Sequence, residues 1–96
     1  MEGLRIASKI RWAKRKNKVI VMNEKHDFLE LQGPVAVELW RLLVSKSRQN
    51  KCTNMQELLE YITANYEVDK GTAHADIEEL LHGLVKHEVL EQCQQE

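Results

Sequence analysis

Hydrophobic and polar residues alternate through the first third of the chain in the manner of β-strands. Ile10 and Trp12 are separated by charged or small residues within positions 9–14, which fits a half-buried strand with a period of two. The β-branched run at 19–22 and the segment 27–31 follow, each after a polar stretch suited to a turn. The pattern predicts a small three-stranded antiparallel sheet.

After the third strand, apolar residues recur at helical spacing. Pro34 suits the first turn of a helix, because its missing N–H would have no partner there. Leu39, Leu42 and Leu43 then repeat on one side, next to Trp40. Residues 45–53 are polar and basic, so we expect a loop there.

Two more helices are predicted downstream. Thr53 or Asn54 can cap the second helix, and Asn54 with Glu57 three residues later is close to a capping box. Thr72 is the expected cap of the third helix. Residues 89–90 end the pattern as a short final strand. The chain is therefore predicted to be α+β and winged-helix-like, with a small three-stranded antiparallel N-terminal sheet followed by three helices. We expect one domain over residues 1–96, with an ordered core at about 10–91.

Composition agrees with a single small globular domain. The chain has 96 residues, 43% of them hydrophobic and 30% charged, and no apolar run approaches the roughly 20 residues of a membrane-spanning helix. The first dozen residues carry charges throughout and do not form a secretory signal, so a cytoplasmic protein is expected. Cys52 and Cys93 match neither a disulfide framework nor a Cys-x-x-Cys pair, and two ordinary thiols are predicted.

An ordered set of segments carries a family resemblance. The set comprises LQGPVAVELWRLL at 31–43, MQELL at 55–59, Asn65-Tyr66, ADIEELLHGL at 75–84 and Val89-Leu90. In this order the chain resembles the PqqD family, also called RiPP recognition elements, over about residues 10–91. It departs from the family pattern in the longer, basic segment 45–53 and in its strongly basic first strand.

The resemblance implies a non-catalytic module, and we expect neither a cofactor nor a metal. Such modules bind the leader segment of a ribosomally made precursor peptide and present it to a modifying enzyme, often a radical S-adenosylmethionine (SAM) enzyme or a leader protease. The leader adds as a strand to the third strand and lies against the third helix. On this chain the edge corresponds to residues 26–31 and the helix wall to residues 73–84.

The expected peptide-binding residues come from these two segments. They are Lys25, His26, Asp27, Phe28, Leu29, Glu30, Leu31, Ala73, Asp76, Ile77, Leu80 and Leu84, with Glu79 as a further charge that could orient the peptide. Phe28 and Glu30 point to one face of the strand and Leu29 and Leu31 to the other. Because both faces carry an apolar residue, the pattern leaves open which one lines the groove. For Leu29, Leu31, Ile77 and Leu80, each taken singly, a place in the core is the simpler interpretation.

The charge is divided unevenly along the chain. Residues 1–52 hold 12 Lys/Arg and 5 Asp/Glu, a net +7, whereas residues 53–96 hold 2 and 10, a net −8. The basic part offers a surface for docking a partner enzyme, formed by Arg11, Lys14, Arg15 and Lys16. A solvated face is the simpler reading of these cations, and a winged-helix-type protein-interaction or nucleic-acid-binding domain is the alternative function. The acidic third helix would repel phosphates, so no DNA binding is expected through it.

Catalysis and metal binding have little support in the sequence. His74, Glu78 and His82 share a helix face, but they spread over about 12 Å, too far for one ion to bind all three. No phosphate-binding loop, nucleophile elbow or metalloprotease motif occurs, and we expect no enzyme activity. Pairing through an open strand edge is compatible with either a monomer or a homodimer.

Overall fold

The computed structural model describes residues 3–93, which form five strands and three helices. In chain order these are β1 (Gly3–Ile6), β2 (Arg11–Arg15), β3 (Lys18–Met22), β4 (Phe28–Gln32), α1 (Pro34–Arg48), α2 (Met55–Asn65), α3 (Lys70–Lys86) and β5 (Leu90–Cys93). The α+β class and the three-stranded sheet followed by three helices are confirmed. The winged-helix description fits only loosely, because β1 and β5 form a second sheet.

The main sheet has the order β2-β3-β4 with antiparallel neighbours. Its register aligns Trp12 with Val21 and Val21 with Leu29. Val21 is fully buried. Leu31, which lies two residues after Leu29 on the same face of β4, is 3% exposed, so this face of the sheet packs against the helices. Phe28 on the other face is 67% exposed. Both β2 and β4 are edge strands.

The second sheet pairs β1 with β5. The sequence pattern predicted only the short final strand of this sheet, and β1 was not predicted. Gly3 lies opposite Cys93. This pairing brings Cys93 to Cys52, and the two form a disulfide with their Cα atoms 6.2 Å apart. The prediction of two ordinary thiols is therefore wrong. The prediction failed because β1 was not recognised. This strand pairs with the C-terminal strand β5 and so places it next to the start of α2.

The helices begin and end close to their predicted positions, with two corrections. The α1 helix continues to Arg48, so the first four residues of the segment predicted as a loop, 45–48, are its last turn. The Asn54 cap is confirmed, with its side-chain oxygen accepting the N–H of Glu57 at 2.9 Å. Asp69, not Thr72, caps α3, and it accepts the Thr72 N–H at 3.1 Å.

The core lies between the main sheet and the three helices. Trp40 is fully buried at its centre, and Trp12 lies edge-on to it with ring centroids 6.0 Å apart. The other large side chains with less than 2% exposure come mainly from the helices: Leu39, Leu43, Leu58, Ile62, Ile77 and Leu84. No helix within residues 3–93 has the length and apolar character needed to cross a membrane.

Candidate peptide-binding site

The outer edge of β4 is open. Within residues 3–93 no strand pairs with it on the side away from β3. Backbone hydrogen bonds at both ends of the β3–β4 ladder fix the alternation of its main-chain groups. Leu29 and Leu31 direct their N–H and C=O towards β3, whereas Phe28, Glu30 and Gln32 direct theirs outward. This row of donors and acceptors is a template for an additional strand.

A groove of about 320 Å³ runs between β4 and α3. Its lining consists of the β4 residues 29–32, Ala36 of α1, and the α3 residues Asp76, Glu79, Leu80 and Gly83. Leu29 and Leu80 are half-buried, so each presents apolar surface to the groove as well as to the core. The free main-chain groups of β4 and an apolar surface thus lie side by side.

The structure determines which face of β4 lines the groove. Leu29 and Leu31 point towards the helices, and both belong to the lining. The side chains of Phe28 and Glu30 point to the opposite, solvent-exposed face, and of these two residues only Glu30 also borders the groove. The groove therefore has Leu29 at its surface, while Leu31 is buried beneath and contributes little exposed area.

Several residues expected in the site lie elsewhere. Ala73 is 4% exposed, and Ile77 and Leu84 are fully buried in the core, so their side chains do not reach the groove. Lys25, His26 and Asp27 are exposed in the turn before β4 and are not part of the groove lining. They lie at one end of the β4 edge.

One buried polar residue builds this turn. Asn23 is 4% exposed, and its side-chain oxygen accepts the N–H groups of Lys25 and Asp27, both at 2.9 Å. Its amide nitrogen donates to the carbonyl oxygen of His87 at 2.7 Å. Asn23 therefore connects the turn before β4 to the end of α3, and so links the two walls of the groove.

An ion pair reinforces the same connection at the surface. Lys25 Nζ lies 3.0 Å from Glu88 Oε2. The hydrogen bond and charge of Glu88 raise the pKa of Lys25, which stays protonated at neutral pH. Since both side chains are exposed, the pair adds little stability.

The charges near the groove are mostly acidic. Asp76 and Glu79 are exposed on the α3 wall, and neither has an ion-pair partner among residues 3–93. Glu30 pairs with Lys18 at 3.1 Å. Hydrogen bonds from Lys18 and Gln32 lower the pKa of Glu30, so it is ionised at neutral pH. Two unpaired carboxylates thus give the α3 wall of the groove a negative charge.

Sequence reasoning missed four residues that shape the site: Asn23, Gln32, Ala36 and Gly83. Gly83 could have been recognised from the sequence. Glycine lowers the stability of a helix, so its presence inside a predicted helix indicates a packing or functional role. Asn23 did not, since an asparagine in a turn is common and its contact with His87 depends on the tertiary structure.

The basic residues lie at the opposite edge of the main sheet. Arg11, Lys14 and Arg15 are exposed on β2, and Lys16 is exposed in the turn that follows. None of the four forms an ion pair within the described part of the chain. Their charges oppose strand addition at β2, since charged side chains protect an edge strand from pairing.

The side chains of His74, Glu78 and His82 on α3 do not come together around one point. His74 Nδ1 lies 3.6 Å from Glu78 Oε2, as an exposed pair. Among residues 3–93, no three His, Cys, Asp or Glu side chains are arranged to hold a metal ion.

Comparison with known families decides the identity of the fold. The family model for coenzyme PQQ synthesis protein D (PqqD) matches residues 17–90. The chain belongs to the PqqD family. The resemblance seen in the sequence is confirmed over the segment that includes β3, β4 and all three helices. Among curated proteins, no sequence matches the chain significantly.

Two solved structures share this PqqD fold. One is TbiB1 in complex with the TbiA(beta) leader peptide, with 24% identity and a TM-score of 0.73, covering 95% of this chain and 99% of that chain. The other is lasso peptide synthetase B1 complexed with the leader peptide, with 19% identity and a TM-score of 0.68, covering 93% and 98%. Both likenesses extend beyond residues 17–90, so the architecture outside the PqqD match is also shared.

Proposed function

We propose that this PqqD-family chain binds the leader segment of a ribosomally made precursor peptide and presents it to a modifying enzyme, without catalysing a reaction itself. The observation that carries the proposal is the open edge of β4 beside the groove of α3. Both solved structures of similar fold are described as complexes with leader peptides, which supports the same use of the fold here.

The leader would add as a strand antiparallel or parallel to β4. Its main chain would bond to the outward groups of Phe28, Glu30 and Gln32, which gives affinity with little demand on sequence. Every second side chain would face the groove and contact Leu29 and Leu80. One short strand with an apolar anchor or two would bind at about micromolar affinity, roughly −8 kcal/mol.

The partner enzyme is proposed to be a radical SAM enzyme or a leader protease that docks on the basic edge of the sheet. Arg11, Lys14, Arg15 and Lys16 form this surface, which we call the basic hairpin. Because β2 and β4 are opposite edges, the basic hairpin stays free when a leader occupies β4. An acidic surface on the enzyme would be its complement.

Nucleic-acid binding is less well supported. The exposed surface of α3 carries Asp76, Glu78 and Glu79, which would repel phosphates. The cations of the basic hairpin also complement an acidic protein surface, which is the partner proposed for them.

The leader proposal is tested by titrating ¹⁵N-labelled protein with a synthetic peptide that spans the leader of a precursor encoded beside this chain's gene. Amide shifts should concentrate at residues 28–32 and on α3. A scrambled peptide of the same composition is the control. Saturable shifts confined to the basic hairpin, or no shifts with any neighbouring leader, would contradict strand addition at β4.

The docking proposal is tested separately with the modifying enzyme encoded in the same gene neighbourhood. Replacing Arg11 and Arg15 by Glu should weaken the complex with the enzyme and leave leader affinity unchanged. Lys70→Glu with Lys86→Glu, on α3, makes the same change in net charge away from the hairpin. Equal losses of enzyme affinity in the hairpin variant and in the α3 variant would show only a general effect of net charge.

A further inference from the structure

Gly83 is an unusual residue for its position. It lies near the end of the 17-residue α3 helix, with helical residues on both sides. Glycine is among the poorest helix formers, because it has the most backbone freedom to lose. Its φ angle is not in the left-handed region, so the backbone does not require glycine here.

The space around Gly83 supplies the reason. A Cβ built on Gly83 would meet no atom within 4 Å. Gly83 also lines the groove beside β4, where Ala36 is the other small residue. The missing side chain therefore leaves open volume in the groove itself, not a contact with a neighbouring element.

We infer that Gly83 determines the size of the peptide side chain that the groove accepts. This inference rests on the proposed function. With glycine at 83 and alanine at 36, a bulky aliphatic or aromatic side chain of the guest strand can enter between β4 and α3 and contact Leu29 and Leu80. A larger residue at 83 would occupy this volume and restrict the anchor to a small side chain.

The fold does not oppose such a change. Since nothing lies near the position of the added Cβ, Gly83→Ala should raise the thermal midpoint through helix propensity alone. Gly83→Val and Gly83→Phe would project into the groove without entering the core. A loss of binding in these variants would then come from the groove and not from unfolding.

The test selects peptides from a random decapeptide display library on the wild-type protein and on Gly83→Val. Wild type should enrich a bulky apolar residue at one anchor position, and Gly83→Val should enrich Ala or Val there with the other positions unchanged. Gly83→Phe should bind the wild-type peptide at least about tenfold more weakly, in line with the selectivity of apolar pockets for size. His82→Phe, on α3 but outside the lining of the β4 groove, is the matched control and should bind normally.

The outcomes separate the inference from the proposed function. If selected peptides compete for β4 but Gly83→Val and wild type enrich anchors of equal size, the role of Gly83 is refuted while leader binding stands. If no selected peptide shifts the amides of residues 28–32, strand addition fails, and the inference fails with it. Thermal midpoints and far-ultraviolet circular dichroism of each variant establish that every comparison is between folded proteins.

Discussion

The side-chain amide of Asn23 donates a 2.7 Å hydrogen bond to the main-chain carbonyl of His87, although the two residues are 64 positions apart. The bond joins the turn before β4 to the residue that ends α3. Since the groove lies between β4 and α3, one buried amide holds its two walls at a fixed separation. The same side chain also satisfies two N–H groups of the turn, so its removal leaves several polar groups without partners.

Asn23→Ala should therefore cost both stability and binding. Buried polar groups that lose their partners destabilise a protein by about 1–3 kcal/mol, and we expect a loss near the upper end of that range. Leader affinity should fall as well, measured by isothermal titration under conditions where the variant is folded. Asn17→Ala changes an exposed turn asparagine and should leave both quantities near wild type. Normal stability of Asn23→Ala would contradict the role assigned to this residue.

The open edge of β4 leads to a prediction at Glu30. Its N–H faces outward, so Glu30→Pro removes a donor for the guest strand while keeping the bonds to β3, a position where edge strands tolerate proline. Binding of the leader should weaken by at least about tenfold, since a hydrogen bond is lost and the proline ring obstructs the edge. Glu30→Gln keeps the N–H and removes only the charge that pairs with Lys18. It should bind within about twofold of wild type, because exposed ion pairs contribute little.

Much of the main fold followed from the sequence for identifiable reasons. The alternation around Trp12 and the β-branched run of β3 indicate a sheet, and Asn54 marks the start of α2 because its cap is local. Local signals of this kind depend on neighbouring residues only. The α+β class could therefore be predicted from local pattern, whereas the edge at β4 was expected only from the family resemblance.

The remaining features depend on contacts between distant segments. The face of β4 that meets the groove was ambiguous, because Phe28 and Leu29 are both apolar and only the packing of the helices distinguishes them. Ile77 lies on the correct helix, but the rotation of α3 that buries it is set by the whole core. Cys52 and Cys93 meet because β1 pairs with β5 on one side and, through Leu4, bridges Thr53 on the other.

The disulfide should contribute measurable stability. It closes a loop with a sequence separation of 41 residues. The chain-entropy model assigns about 4 kcal/mol to a loop of this size. Reduction by dithiothreitol, or Cys93→Ser, should lower the thermal midpoint by at least about 10 °C. Leader affinity should be unchanged at a temperature where both forms are folded, since neither cysteine lines the groove of β4.

Two measurements distinguish a structural role of the disulfide from an incidental one. Free-thiol titration of the protein purified under oxidising conditions should find no reactive thiol until a reductant is added. Ala substitution of Gly3 tests the packing around the bond, because a Cβ there would lie 2.6 Å from Cys52 Cβ. Gly83→Ala, where an added Cβ meets no neighbouring atom within 4 Å, provides a glycine-to-alanine control without crowding. Equal midpoints for oxidised and reduced protein would show that the bond does not stabilise the fold.

The two unpaired carboxylates of the α3 wall should select the charge of the peptide. Replacing Asp76 by Asn and Glu79 by Gln removes both while keeping their shape. Exposed charge pairs contribute about 0.5 kcal/mol each, so the double variant should bind a leader with basic residues about fivefold more weakly. Added salt should weaken leader binding by the wild type more than by the variant, because screening acts on the same interaction.

Glu60→Gln with Glu67→Gln changes the net charge equally outside the groove and should bind as wild type does. A leader with its Lys and Arg residues replaced by Gln should lose the difference between wild type and the groove variant. If that difference persists, the carboxylates act on the structure of the groove and not on the charge of the peptide.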